Sequence, residues 1–318
     1  MKKILSVFTF IVIIINLSAQ TTEIEENLKK QSSDSLDGWK TSGLISLNLT
    51  QVSLTNWSAG GENSFSVNGI LSLVTNYKKG NSTWDNYLDL AYGVLQQGNS
   101  GVRKTDDKID FTSKYGQKAF KNWYYAALVN FKSQMTAGYS YPDDSTKIST
   151  FLAPGYLLGA MGMDYKPSNV FSLFISPITM KMTLVRDQNL ANAGAYGVTP
   201  AEFDSFGTVL SKGETSRTEY GGYLRALFKK DIMKNINLQT KLELFSNYTE
   251  KPGNIDVNWE VLVVMKVNKY ISATISTQLL YDHDVDITID TNGDGIIDSI
   301  GPRTQIKEIL GVGLSYKF

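Results

Sequence analysis

Apolar and polar residues alternate along most of the chain from residue 41 onward. Between residues 235 and 248, Leu238, Leu242 and Leu244 share one parity with other apolar residues, and Lys241 and Glu243 share the opposite parity with polar ones. A period of two is typical of strands that are apolar on one face only. The pattern predicts about twelve strands, near 41–52, 63–78, 82–97, 103–118, 122–138, 155–166, 169–186, 215–229, 234–249, 254–267, 270–282 and 303–318.

The lengths of these strands and of their connections favour a membrane barrel over a soluble β-sandwich. Many runs last a dozen residues or more, whereas strands in globular proteins centre near about 5–6. Short connections alternate with longer ones, as in outer-membrane barrels with short periplasmic turns and long outer loops. Past the N-terminal segment, no apolar run approaches the ~20 residues of a spanning helix. We therefore expect an all-β fold: an antiparallel transmembrane outer-membrane β-barrel of about twelve strands over 41–318, with both termini periplasmic.

The positions of the aromatic residues and the pattern of the last strand indicate that lipid surrounds this barrel. One group of aromatics, including Tyr77, Trp84 and Trp123, lies beside the short connections, and a second group lies near the long ones. Two such girdles are typical of rings at headgroup depth. The apolar row of the last strand contains Leu314 and Tyr316 and ends on Phe318. We interpret this row as a lipid-facing surface, and its end as a signal for the barrel-assembly machinery.

The N-terminal segment indicates export. Residues 1–20 combine Lys2 and Lys3 with an apolar run and the small residues Ser18 and Ala19, as in a cleaved signal peptide. Residues 21–40 are polar and are expected to form a short periplasmic tail. The chain has no Cys, and its 31 basic and 31 acidic residues give no indication of a nucleic-acid partner. The expected location is the bacterial outer membrane.

Three stretches carry a family resemblance: GWKTSGLISLNLTQVSLTNWSAGGENSFSVNG (38–69), RKTDDKIDFTSKYG (103–116) and GPRTQIKEILGVGLSYKF (301–318). The chain resembles a Bacteroidota family of outer-membrane β-barrels catalogued as a domain of unknown function, DUF3078. The resemblance implies a compartment and a fold. It brings no activity and no catalytic residues, so function has to be argued from the residues themselves.

Two long loops carry candidate chemistry. Asp290, Asn292, Asp294 and Asp298 have the spacing of a calcium-binding turn, although Gly301 stands where an EF-hand places its bidentate Glu. A weak Ca²⁺ site and a plain turn built on Asn-Gly and Asp-Gly dipeptides remain open alternatives. The segment NWSAGGEN (56–63) is either an outer contact surface or a hairpin with Trp57 at the interface. No cofactor other than Ca²⁺ is expected.

The polar parity places charges of both signs inside the barrel. The candidates are Lys241, Glu243, Asp256, Glu260, Arg217, Glu219 and Arg225. Mixed signs predict a narrow interior of paired charges rather than a wide selective pore. A narrow channel or transporter for small polar solutes is the first interpretation, and a non-enzymatic structural or assembly component that binds a partner protein is the alternative. An outer-membrane hydrolase built around His283, the only His, ranks last because no nucleophile accompanies it.

Overall fold

The computed structural model describes residues 37–55, 61–141, 143–168, 170–268, 271–289 and 298–317. The predicted signal peptide, 1–20, and most of the predicted tail lie outside this part. Within it the strands are, in chain order, β1 (Gly38–Val52), β2 (Ser64–Lys79), β3 (Ser82–Gln97), β4 (Arg103–Phe120), β5 (Trp123–Ser133), β6 (Gly138–Tyr139), β7 (Lys147–Ser149), β8 (Gly155–Tyr165), β9 (Phe171–Leu184), β10 (Glu202–Phe203), β11 (Val209–Ser211), β12 (Ser216–Met233), β13 (Ile236–Asn247), β14 (Ile255–Lys266), β15 (Ile271–Tyr281), β16 (Asp286–Ile289), β17 (Ser299–Pro302) and β18 (Gln305–Lys317).

The twelve long strands form a closed antiparallel barrel. The ring order is β1-β18-β15-β14-β13-β12-β9-β8-β5-β4-β3-β2, so each long strand pairs with its neighbours along the chain and β18 closes the ring on β1. The first residues of β1 and the last residues of β18 lie at the rim that carries the short turns. The predicted fold class is confirmed. Most strand bounds agree within a few residues, but β5 ends at Ser133 rather than 138, and β1 takes up residues 38–40 of the predicted tail.

The outer surface of the barrel is apolar. Alternate residues of β1, β9 and β18 point outward, and large side chains there are strongly exposed, as with Leu49 at 55%, Ile178 at 70% and Leu310 at 70%. A protein in water rarely exposes apolar rows of this kind, whereas lipid covers them without cost. The alternation of the sequence thus produces a transmembrane barrel whose polar residues lie inside.

Aromatic rings form a belt at the short-turn rim. The Trp39 ring centroid lies 4.9 Å from that of Tyr77 and 5.7 Å from that of Trp84, and the Trp123 and Tyr165 centroids lie 4.8 Å apart. Four aromatic residues that the sequence placed beside the short connections therefore make these contacts: Tyr77 and Trp84 meet Trp39, and Trp123 and Tyr165 meet each other. Such rings are stable at headgroup depth because they combine an apolar body with a polar edge.

The long loops contain folded structure that the sequence pattern did not predict. Three two-stranded sheets, β6–β7, β10–β11 and β16–β17, project from the ring. A short helix, α1 (Gln188–Asn192), and a 3-10 turn (Ala195–Gly197) lie between β9 and β12. Their core consists of four buried residues: Ala153, Val185, Ala191 and Val198. No helix in the described part of the chain is long and apolar enough to cross a membrane.

Candidate functional site

The barrel interior contains three clusters of ion pairs at different depths. Alternation along each strand directs the polar residues inward, and closure of the ring brings charges from distant strands together. We name the clusters by position: the central cluster (Lys108, Asp110, Lys132, Arg225, Lys241, Glu243, Glu260), the long-loop cluster (Lys181, Arg217, Glu219, Asp256, Asp282, Asp284) and the short-turn cluster (Asp85, Lys114, Asp164, Lys166).

Glu243 is the hub of the central cluster. Its carboxylate accepts hydrogen bonds from Lys132 Nζ at 2.9 Å, from Asn258 Nδ2 at 2.7 Å and from Tyr223 Oη at 2.7 Å. Arg225 Nε lies 3.7 Å from Glu243 Oε1. These partners come from β5, β12 and β14, so a single buried carboxylate ties together strands on opposite sides of the ring.

Lys241 supplies the second link of the central cluster. It is the register partner of Glu260 on β14, and its Nζ lies 3.0 Å from Glu260 Oε1 and 3.7 Å from Asp110 Oδ2 on β4. Lys108 Nζ also approaches Glu260, at 3.7 Å. Four of the sequence candidates, Lys241, Glu243, Glu260 and Arg225, therefore lie in this one cluster. Its four cations and three carboxylates nearly balance.

The other three candidates lie in the long-loop cluster. Lys181 Nζ is 2.6 Å from Asp256 and 3.5 Å from Glu219. Arg217 pairs with Glu219 at 2.8 Å and reaches Asp284, in the loop after β15, at 3.1 Å. This cluster joins the barrel wall to the long loops above it. Among the described residues, no group of three or more His, Asp or Glu side chains has the arrangement of a metal site.

Sequence reasoning did not assemble the short-turn cluster. Lys166 Nζ lies 3.0 Å from Asp85 and 3.3 Å from Asp164, and Lys114 Nζ lies 2.6 Å from Asp164. Asp85 and Asp164 are almost completely buried. Asp85 does follow the inward parity of β3, which was an available signal. Lys166 lies just after β8 in a turn segment, and its contact with β3 depends on closure of the barrel.

Apolar side chains pack inside the half of the barrel that β5, β8, β9, β12 and β13 form. Leu128, Phe174, Tyr223 and Phe245 point inward from β5, β9, β12 and β13 and form a buried cluster with Ala126 and Ala160. The Phe174 and Tyr223 ring centroids lie 6.2 Å apart. These residues occupy positions at which alternation predicted polar side chains. Together with the ion pairs they leave a cavity of about 50 Å³ beside Arg225 and Phe174.

The opposite half of the interior is open. A cavity of about 220 Å³ lies against β1, β2, β14, β15 and β18. β15 contributes Ser272, Thr274, Ser276 and Gln278 to its wall, which reaches from the short-turn end of that strand to Asp106 and Lys307 near the long loops. Lys241 and Glu260 border the cavity on its packed side. The wall therefore combines hydroxyl and amide side chains with a large apolar share, which includes Ile70, Val264 and Ile309, and it carries charged side chains along one edge.

The long loops are held together by polar contacts of their own. Asp187 caps α1 by accepting from the amides of Asn189 and Leu190, and Lys147 Nζ lies 2.5 Å from its carboxylate. The hydrogen bond from Lys147, with those of the two amides, holds the pKa of Asp187 below its ordinary value. Tyr196 donates its hydroxyl to the carbonyl of Ile148 at 2.7 Å, and burial raises the pKa of Tyr196 to about 12.

The remaining sequence candidates fall partly outside the described residues. Asp290, Asn292 and Asp294 lie outside them, whereas Asp298 is described and exposed. Phe318 also lies outside, Tyr316 belongs to β18, and Leu314 points outward with 62% of its surface exposed. Trp57 is not among the described residues, but Asn63 is, and its Oδ1 accepts from the amide of Leu54 at 2.6 Å. His283 contacts the Tyr281 hydroxyl through Nδ1 at 3.2 Å.

Comparison with protein families finds one match. Residues 49–139 match the family described as "Protein of unknown function (DUF3078)". The expected resemblance is confirmed over these residues. They include RKTDDKIDFTSKYG and all of NWSAGGEN, while residues 38–48 of the first stretch and the segment 301–318 lie outside the match. No curated protein matches the chain.

Solved structures of outer-membrane barrels are similar over most of their length. An outer membrane channel from Pseudomonas putida F1 is 11% identical with a TM-score of 0.39, and the alignment covers 90% of this chain and 98% of that one. The translocator domain of the autotransporter NalP from Neisseria meningitidis is 12% identical with a TM-score of 0.30, covering 93% and 92%. The NanC porin is 8% identical with a TM-score of 0.34, covering 86% and 98%. The fold assignment itself rests on the closed ring of strands.

Proposed function

We propose that this protein is a narrow outer-membrane channel for small polar solutes, exported with its first 20 residues removed. The observation that carries the proposal is the 220 Å³ cavity along β15. The hydroxyl and amide side chains in its wall, four of them on β15, offer both donors and acceptors, as a path for uncharged or zwitterionic solutes requires. Because the other half of the interior is filled with ion pairs and apolar side chains, the path is restricted to one side of the barrel.

Two neighbouring tryptophan substitutions test this path. Ser276 faces the cavity, and Thr277 has the opposite orientation on the same strand. Ser276→Trp should fill the narrow path and reduce solute uptake at least several-fold, whereas Thr277→Trp places its ring in lipid and should leave uptake unchanged. Both proteins, reconstituted into liposomes, are compared by swelling in a size series of sugars and amino acids.

The outcome also separates the channel from the alternative function. The ion-pair clusters that tie β5, β12, β13 and β14 together favour a rigid scaffold, so a structural or assembly component is the second candidate. Folded wild-type protein that admits no solute in the series would overturn the channel and favour the scaffold. Equal uptake by both tryptophan variants and the wild type would place conduction elsewhere.

A further inference from the structure

The seam that closes the barrel is shorter than the neighbouring ladders. The described pairing of β1 with β18 runs from Leu44↔Lys317 to Asn48↔Gly313 and ends there. By contrast, β1 pairs with β2 along its whole length, from Gly38 to Val52, and β18 pairs with β15 from Gln305 to Leu314. On the side of the seam nearer the long loops, residues 49–52 of β1 and 305–312 of β18 therefore pair, within the described sheet, with one neighbour only.

This open edge lies within the apolar band. The outward residues beside it are Leu49, Ile306 and Leu310, with exposed fractions of 55%, 69% and 70%. Backbone groups without partners are not stable in hydrocarbon, and membrane barrels normally avoid them by closing the ring. An edge at this depth therefore requires a polar partner in addition to lipid tails.

The β1–β18 ladder ends at Asn48, whose side chain occupies the space that side chains at Gly311 and Gly313 would need. Asn48 extends over β18, and a β-carbon at Gly313 would overlap its carboxamide. At Gly311 a β-carbon would lie 3.3 Å from Asn48 Nδ2. Glycines remove cross-strand side-chain contacts and weaken a ladder. The two glycines and Asn48 therefore make a weak point at the last pair of the seam.

The large cavity lies directly behind this weak point. Asn48, Lys307 and Ile309 line the cavity from the two strands of the seam, and Asn68 lines it from β2 as the register partner of Asn48. Lys307 Nζ lies 2.5 Å from Asp106 Oδ1 on β4 and is still half-exposed, with 47% of its side chain accessible. Asn68 Nδ2 also donates to Asp106, at 3.5 Å. A cation paired with a carboxylate, two amides and an apolar side chain thus converge within reach of the lipid phase.

We propose that the half of the β1–β18 seam nearer the long loops is a lateral portal that admits a single-chain zwitterionic amphiphile from the lipid. The anionic group of its head binds Lys307 and Asn48 and the cationic group binds Asp106, while its alkyl chain lies along Leu49 and Leu310. The head accepts hydrogen bonds from the backbone amides of the open edge. It replaces these bonds with hydrogen bonds to water as it enters the cavity. This lateral access is additional to the axial path of polar solutes.

Photolabelling of the reconstituted full-length protein tests the portal. The probe is a diazirine-bearing lysophosphatidylcholine in phospholipid vesicles, and labelled residues are located by mass spectrometry. We expect labels on the cavity side, at Asn48, Ser276 and Ile309, in addition to the outward residues. Because the chain has no Cys, a disulfide between Gln51→Cys and Leu310→Cys closes the open edge specifically. Oxidation should lower cavity labelling at least fivefold, and reduction should restore it.

A matched disulfide controls for cross-linking itself. Val263 and Ile275 are register partners on β14 and β15, and the pair Val263→Cys with Ile275→Cys should oxidise without changing the labels. If the seam pair does not oxidise, Ile309→Trp replaces it as a steric block on the cavity side, with Leu310→Trp on the lipid side as its control. Ile309→Trp alone should reduce cavity labelling.

Two results would overturn the portal. One is wild-type labelling confined to outward residues, and the other is cavity labelling that persists in the oxidised seam variant or in Ile309→Trp. Neither result depends on whether polar solutes cross the barrel. Failure of the portal and failure of the channel are therefore separate observations.

Discussion

Replacing Glu243 with glutamine removes the hub of the central cluster. The wild-type carboxylate is 7% exposed and receives hydrogen bonds from Lys132, Tyr223 and Asn258, with Arg225 close by. Glutamine has nearly the same shape but carries no charge, and its amide group directs two N–H donors at groups that are themselves donors. The variant leaves the four cations of the cluster facing two carboxylates.

The expected loss of stability follows from this geometry. Removing one partner of a buried ion pair destabilises a protein by about 3–5 kcal/mol, because the remaining charge stays buried without compensation. Several cations share Glu243, so we expect Glu243→Gln to fall in that range. Lys132→Met should cost less, since Glu243 keeps its other donors. The two changes together should cost less than their sum by about 1–3 kcal/mol, as for residues in one network.

Equilibrium unfolding in guanidinium chloride, followed by tryptophan fluorescence in detergent micelles, gives the comparison. Glu250→Gln is the matched control because Glu250 is exposed in the loop after β13, and it should stay within about 0.5 kcal/mol of the wild type. A Glu243→Gln protein as stable as the control, or strict additivity with Lys132→Met, would refute the network as the element that holds the interior together.

Three further predictions concern the ends of the barrel. Deletion of Phe318 should impair assembly by removing the terminal ring of an apolar row, and equal heat-modifiable mobility of the truncated and full-length chains in membrane fractions would contradict this. Because the folded pKa of Asp187 is depressed, its contribution is complete above its ordinary pKa near 4 and is lost as the pH falls through the folded value. Hydrogen exchange should therefore show α1 losing protection below about pH 4 in the wild type, whereas Asp187→Asn should show no acid-dependent loss. If the loop 290–298 binds Ca²⁺, titration calorimetry should give a Kd of about 10⁻⁴–10⁻³ M that Asp290→Ala and Asp294→Ala abolish, and absence of heat would leave a plain turn.

Alternation along the chain was sufficient to predict the barrel strands. A membrane barrel separates lipid from lumen at every residue, so the period of two continues through the strands and identifies most of their ends within a few residues. The same rule accounts for the pairing of Lys241 with Glu260, because consecutive antiparallel strands bring their polar faces side by side. Pairs between neighbouring strands are encoded locally.

Contacts across the lumen could not be predicted in this way. Lys132 meets Glu243, and Lys166 meets Asp85, only because the ring closes. Phe174 and Phe245 are apolar residues at inward positions, so alternation alone assigns them no partner, although they belong to the buried apolar cluster of the interior. The fold of the long loops was also missed, because α1 is only five residues long and its core draws on segments far apart in the chain.

Planar-bilayer recording of the purified protein tests the channel most directly. We expect discrete conductance steps for the wild type and a shift of the reversal potential toward cation selectivity for Lys241→Glu, since Lys241 borders the open cavity. Lys230→Glu makes the same charge change at an exposed position of β12 and should leave the reversal potential unchanged. A bilayer that stays silent at every voltage, with the fold confirmed by circular dichroism, would contradict the account.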